Sequence, residues 1–424
     1  MTTPPSRSAL NWHHDLPLPP LSAGRPGRKR SGRPVFLSPA ATIPHVRNTR
    51  RICYAGTYEH DYPRNRLVVR ALRHGGMRVE EAHLPVFEHL RDKSGLSPLV
   101  LAGFAVRLLI AYLRLIPNVM LRLLRCDVLM VGYIGQLDML VLGTLARLMR
   151  RPVVFNPLVS LTDTLVEDRG RFRAGSVPGR LIHLVDRLSM RLADLVLADT
   201  EENAGFFAAQ FGLGRQRIAV VQSGAQEEVF YPGAAEVGDV LDVLFVGKFI
   251  PLHGVETILR AAALLEKRGV DARIELAGTG QDYAAARVLA DELGLRSIVW
   301  TEWIPFDLLG KRLREADVAL GIFDDGAKAA RVIPNKVHQA LASGTAVVTR
   351  TSPAIERFLS DGETALLVPP ADPRALAEAI QLLGDSGKRQ RLAEAGYRSW
   401  LEWGSQRALA YQLTLALERL DAQR

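Results

Sequence analysis

The sequence predicts an α/β protein built from two doubly wound parallel sheets that face each other across a cleft. Three observations predict it. The 424 residues exceed what one ordinary core accommodates, and a hydrophobic fraction of 48% suffices for two. Short β-branched runs alternate with segments of helical length, the signature of a buried parallel sheet wrapped by helices. That alternation is interrupted once, by the Pro-, Gly- and Ala-rich stretch "YPGAAEVGD" at 231–239, and then resumes.

The first series of strands is expected at 51–58, 77–84, 127–134, 152–159, 193–200 and 217–224, each ended by turn residues. The second is expected at 242–249, 272–278, 298–304, 316–323, 345–350 and 365–370. These give a first domain over 51–232 and a second over 240–400. The amphipathic stretch 405–424 has no sheet of its own and would bury its apolar face by crossing back to the first domain. In doubly wound sheets ligands bind beyond the carboxyl ends of the strands, and clefts between domains are favoured sites.

Residues 1–50 read as a disordered tail. They are rich in Pro, Ser and Gly, show no hydrophobic period, and hold eight Arg or Lys against Asp15 alone, so they carry +7 of the net +9. No continuous apolar region marks a signal peptide. The basic excess suits an anionic partner, and the lack of interleaved aromatics argues against nucleic acid. Cys53 and Cys126 are far apart in sequence, which argues against a disulfide framework or a cysteine metal site and fits a reducing cytosol.

Segment 97–126 is overwhelmingly apolar, with no acidic residue between Asp92 and Asp127. On a helix Arg107, Arg114 and Arg125 fall within about 20° of one another, with Arg122 about 60° away. Its longest charge-free run, Ser94 to Val106, is too short to span a bilayer. Two readings stand: a helix lying in a membrane interface, or a core helix kinked at Pro117 with its arginines in water. The basic stripe favours the first.

Chemistry concentrates at the ends of the second series. In "LFVGKFIPLHGVETIL" a strand ends at Gly247, a loop carries Lys248 and His253, and Gly254 opens a helix. Free amides at a helix start, with cations beside them, suit a diphosphate. Gly278 and Gly280 in "IELAGTGQDY" permit close backbone approach. In "VIPNKVHQALASG", Pro334 suits a first helical turn, which places Asn335 and Lys336 where backbone amides point outward, with Gln339 one turn on. Three such strand ends in one domain imply a phosphate-bearing ligand.

The motifs "VGKFIPLHGVETIL", "ELAGTGQDY" and "VIPNKVHQALASGTAVVTRTSPAIERFLSDGETALLVPP" together resemble the donor domain of glycosyltransferase family 4. "RICYAGTYEHDYPRNRLVVRALRHGGMRV" and "FNPLVSLTDTLVEDRG" resemble its acceptor half, so the likeness covers roughly residues 51–422. It implies the GT-B architecture, two Rossmann-like domains, and retaining transfer from a nucleotide diphosphate sugar with no cofactor and no bound metal. The expected acceptor is a lipid-linked or growing glycan at the cytoplasmic face of an anionic membrane. Where the family has an Arg and a Lys around the Gly loop, this chain has Lys248 and His253, the latter expected to be partly charged near neutral pH. The family's two glutamates fall on Arg331 and Gln339. Gln339 can hold a ribose hydroxyl, but Arg331 cannot accept a hydrogen bond. Either Asp324 or Asp325 reads the sugar, or Arg331 takes over phosphate duty. As a metal site, the Asp324–Asp325 pair is outweighed by its reading as solvated loop carboxylates.

In the first domain Gly56 and Thr57 end the first strand and Arg64 and Arg66 open the next helix, serving either the diphosphate or only capping and surface charge. Asp163 either faces the acceptor or is a solvated carboxylate. His60, His83 and His183 read as structural. Two alternatives remain: a GT-B protein that binds nucleotide sugar with weakened transfer, and a nucleotide-sugar 2-epimerase, against which the 97–126 segment counts.

Overall fold

The computed structural model describes residues 50–60, 62–86, 98–233 and 238–422. The tail 1–49, residue 97, part of the expected linker and the last two residues lie outside the described residues.

Two six-stranded, wholly parallel sheets form. The first comprises β1 (Arg51–Gly56), β2 (Arg78–His83), β3 (Val128–Val131), β4 (Val153–Phe155), β5 (Leu195–Ala198) and β6 (Ile218–Val220), in the order β2-β1-β3-β4-β5-β6. The second comprises β7 (Leu241–Val246), β8 (Ala272–Ala277), β9 (Ile298–Thr301), β10 (Val318–Leu320), β11 (Ala346–Arg350) and β12 (Leu366–Val368), in the order β12-β11-β10-β7-β8-β9. Every strand falls on a run where β-branched residues and a following turn predicted one, β7 beginning one residue earlier at Leu241. The order reverses between β1 and β3 in one sheet and between β7 and β10 in the other. The loops after β1 and β7, which begin at Gly56 and Gly247, therefore flank the two crevices where such sheets bind ligands.

Each sheet is buried on both faces. The first packs one face under the helices Pro98–Leu123 and Val177–Leu192 through Leu115, Val119, Leu123 and Met190. Its other face is covered by the helix Pro63–His74 and by the terminal helix Gln406–Ala422, whose Leu409, Leu413, Leu417 and Leu420 join Leu67, Val68 and Leu72. The preceding helix, Ser386–Trp403, belongs to the second sheet through Trp400 and Trp403. The chain crosses between sheets at Gly404–Ser405, where Gly404 O comes within 2.8 Å of where a Cβ on Gly224 would stand.

Two sequence expectations change here. Helix Pro98–Leu123 runs through Pro117 with one face in the core, while Leu113, Leu121 and the arginines Arg107 and Arg114 face outward. Cys53 and Cys126, distant in sequence, meet in the core as free thiols within hydrogen-bonding reach. The sheet order causes this, since β1 and β3 are neighbours and Cys126 immediately precedes β3.

Candidate active site

At the end of β7 the loop from Lys248 turns through Pro251–His253 into the helix Val255–Lys267. Gly254 makes the turn with φ of +62°, and a Cβ there would lie 2.6 Å from the Asp324 nitrogen, so only glycine fits. Lys248 is exposed at the mouth. His253 is buried, and its Nδ1 donates to the Lys248 carbonyl. That bond fixes the tautomer and leaves Nε2 as an acceptor. Burial, then the neighbouring Lys336, holds its pKa well below the usual histidine range. The expected partial charge on His253 is thus corrected to a neutral ring.

The cation at this strand end arrives from elsewhere. Lys336, on the helix Asn335–Ala342, folds its amine beneath the loop, 2.6 Å from where a Gly247 Cβ would stand and 3.8 Å from the centre of the Phe245 ring. The residue as a whole is half-buried, but Nζ is shut off from solvent and has no hydrogen-bond partner among the described residues. Desolvation drives its pKa well below the usual lysine range. An opposite charge brought beside it would restore the ammonium.

Pro334 precedes this helix in extended backbone, with φ −69° and ψ 149°, rather than forming its first turn. The residue before a proline resists helical backbone too, so Ile333-Pro334 delivers the chain extended. No side chain caps the helix, and the Val337 N–H bonds the Pro334 carbonyl at 2.9 Å. The amides of Asn335 and Lys336 remain without partners among the described residues. Gln339 stands one turn beyond Asn335, half-buried.

Gly278 and Gly280 serve loop packing. A Cβ on Gly278 would meet the Gly247 carbonyl oxygen at 2.0 Å, and one on Gly280 the Phe249 oxygen at 2.4 Å. The two loops are joined by Phe249 N–H to Thr279 O at 3.0 Å. Asp324 accepts from the Gly326 amide at 2.9 Å, and Arg350 donates to its carbonyl, whereas Asp325 is exposed. Among the described residues no group of three or more His, Cys, Asp or Glu is placed to hold a metal ion.

The first sheet answers across the cleft. A π-type turn at Asp163–Asp168 points carboxylates at the second domain. Arg331 Nη2 donates to Asp163 Oδ1 at 2.5 Å, while Lys328 Nζ lies 3.6 Å from Asp163 Oδ2 and 3.3 Å from Asp168 Oδ2. Arg331 also stacks on Phe206, 4.0 Å from the ring centre, and its carbonyl accepts from the Thr200 hydroxyl. Its side chain is thus tied to a carboxylate in this closed arrangement rather than standing free for phosphate. Asp163, read from sequence as an acceptor-side or solvated carboxylate, is buried in these pairs.

Behind them the first sheet end is closed on itself. Thr57 donates both its amide, at 2.7 Å, and its hydroxyl, at 3.0 Å, to the carboxylate of Asp138, which also accepts from Tyr112 at 2.9 Å. A Cβ on Gly56 would stand 2.5 Å from the same carboxylate, whose pKa burial pushes up to about 6. Arg64 is fully buried and donates to Asn156 Oδ1 at 2.9 Å, Val221 O at 2.8 Å and Gln222 O at 2.6 Å. Arg66 is half-buried on the same helix. Asp138, Asn156 and the buried His338 were not found from sequence. Asp138 and Asn156 are isolated polar residues beside apolar ones, His338 lies among the polar residues of a helix start, and no spacing distinguishes any of them.

Residues 241–385 match the family model described as glycosyl transferases group 1. The chain is 26% identical over 294 residues to a D-inositol 3-phosphate glycosyltransferase of Corynebacterium glutamicum, covering 63% of this chain and 69% of that one. It is 26% identical over 245 residues to an MMP alpha-(1->4)-mannosyltransferase of Mycolicibacterium hassiacum, 57% of each chain. Among solved structures, sucrose-phosphate synthase from Thermosynechococcus elongatus superposes with a TM-score of 0.65 at 19% identity, over 88% of this chain and all of that one. The Anabaena protein HepE, solved with UDP and glucose, does so with a TM-score of 0.61 at 15% identity, over 87% and 99%. The second domain thus matches the group 1 glycosyl transferases, and the chain as a whole shares the GT-B fold of two facing parallel α/β sheets.

Proposed function

We propose that this protein transfers a sugar, with retention of configuration, from a nucleoside diphosphate sugar to a lipid-linked or glycan acceptor at the cytoplasmic face of a membrane. The observation that carries the reading is the buried, unpartnered amine of Lys336 beside Gly247 and His253. A desolvated amine is costly unless an anion comes to meet it, and a diphosphate leaving group is such an anion. Beside it lie the open amides of Asn335 and Lys336 and the start of the helix Val255–Lys267, so positive potential is fixed in place before charge develops on the departing diphosphate. Lys248 closes the mouth, Gln339 takes a ribose hydroxyl, and Asp163 crosses from the acceptor side. The reading gives the neutralising role to these groups rather than to a metal ion.

HepE was solved with UDP-glucose as well, so a UDP-sugar is the first donor to test. The membrane part rests on the outward leucines and arginines of the helix Pro98–Leu123. Among the described residues no helix is long and apolar enough to cross a membrane. The test is thermal unfolding with UDP, GDP, ADP and CDP in separate wells, followed by sugar transfer with the nucleotide that binds. A ligand at about 100 times its dissociation constant adds roughly 2.7 kcal/mol, a shift of several degrees. No shift with any diphosphate contradicts the reading. A shift without transfer to any lipid or glycan supports the second one, a nucleotide-sugar-binding protein with weakened catalysis, which the neutral His253 and the engaged Arg331 favour.

A further inference from the structure

The helix Val177–Leu192 carries an unpartnered stripe of its own. Val177, Leu181, Leu184 and Leu188 recur at helical spacing, and Val177 and Leu181 are 80% and 59% exposed. Its buried side, Gly179, Asp186, Ser189 and Met190, faces the sheet. Arg180 and Arg187 stand exposed on the stripe's margins, and its one acidic residue, Asp186, is buried holding the Leu161 and Thr162 amides.

This helix lies in the same layer as Pro98–Leu123, since residues of both close one core over one face of the first sheet. Between them Leu148 projects, 79% exposed. The outer faces thus form one surface on which leucines alternate with arginines, and every charged side chain exposed on the two helices is an arginine. Monomeric proteins rarely expose apolar area on this scale without a partner. The core of a protein–protein interface is depleted of charge, whereas here an arginine recurs among the leucines about every second turn. Arginine stems bury among acyl chains while their guanidinium groups reach anionic headgroups, so the pattern matches a charged lipid surface.

We infer that Val177–Leu192 is a second bilayer-contacting element, which together with Pro98–Leu123 seats the first domain on anionic lipid. Both helices follow strands and run back across the sheet, so their amino ends lie at the strand ends that line the cleft. A membrane held against this face therefore reaches the cleft rim, where a lipid-linked acceptor would enter. The inference rests on the membrane part of the proposed function and adds a partner surface to it.

The test is flotation of the full chain with phosphatidylcholine vesicles, with and without phosphatidylglycerol. Three proteins are compared: wild type, Leu181→Gln with Leu184→Gln, and Leu113→Gln with Leu121→Gln. All four positions are exposed, and a matching thermal midpoint and UDP response confirm that each variant is folded. The inference predicts binding that requires phosphatidylglycerol and weakens about tenfold or more in each double variant. Wild-type binding by the Leu181/Leu184 variant, with loss only in the Leu113/Leu121 variant, overturns this inference and leaves the membrane reading intact. Absence of vesicle binding by wild type overturns both. Self-association lost with Leu181→Gln and Leu184→Gln, without vesicle binding, would show the face to be a contact between copies and also overturns it.

Discussion

The two strand-end regions that face each other across the cleft have the same topology and hold their buried cations differently. On the first sheet the buried charges are held within the domain: Arg64 donates to Asn156 and two carbonyls, and Asp138 accepts from Thr57 and Tyr112, although Arg64 Nη2 itself has no partner among the described residues. On the second, Lys336 Nζ and both ring nitrogens of His338 have none. A buried amine without a partner destabilises a fold, so one set beneath the glycine loop at a crevice suits an anionic ligand that completes the structure. We read the first sheet end as scaffold and the second as receptor.

Substitutions on the two sides should therefore fail in different ways. The largest effect is expected for Arg64→Met, which strands three acceptors and should cost about 3 kcal/mol in urea unfolding. Diphosphate affinity in the folded fraction should change less than about threefold, because the hydrogen bonds of Arg64 all stay within the first domain. Lys336→Ala should do the reverse. It should weaken UDP binding about a hundredfold by titration calorimetry, with an unfolding midpoint equal to or above wild type because a desolvated amine has been removed.

His338 sharpens the contrast through pH. Burial, and secondarily Arg64, lowers its pKa to about 3, against about 6.5 in the unfolded chain. Below pH 6.5 the unfolded state binds a proton that the folded state refuses, so stability falls as pH falls from 6.5 towards 3. By pH 5 this one group costs about 2 kcal/mol, and His338→Leu should remove that part of the acid sensitivity. The smallest effect belongs to the cross-cleft pairs. Asp163→Asn frees Arg331 and weakens the hold on Lys328, but the cleft can open and let water reach them. Its cost should stay near 1 kcal/mol in unfolding experiments and shrink in high salt.

Much of this scaffold was legible in the sequence. A strand such as "VLMV" or "AVVTR" can only be core, and the glycine after β7 announced a turn where a ligand approaches. The helix start at Asn335-Lys336 was legible for the same reason, since proline restricts the residue before it and leaves open amides after it. The rest depended on contacts between distant segments. That Lys336 would fold beneath Gly247 against Phe245 follows from β7 and β10 being neighbours. That Arg331 would meet Asp163 follows from the closure of two domains, 168 residues apart in sequence. Local spacing carries neither. It also gave His253 the charge of an exposed histidine, when burial beside Lys336 removes it.

The central claim is that the second sheet end is an anion receptor whose cation is Lys336. Titration calorimetry of UDP and GDP into wild type and Lys336→Met tests it most directly. The account predicts binding to wild type, with the diphosphate beside the amine favouring its charged form. It predicts that Lys336→Met, with its fold intact, loses the affinity. Equal affinity in the two proteins would contradict the account and place Lys336 in the structural core instead.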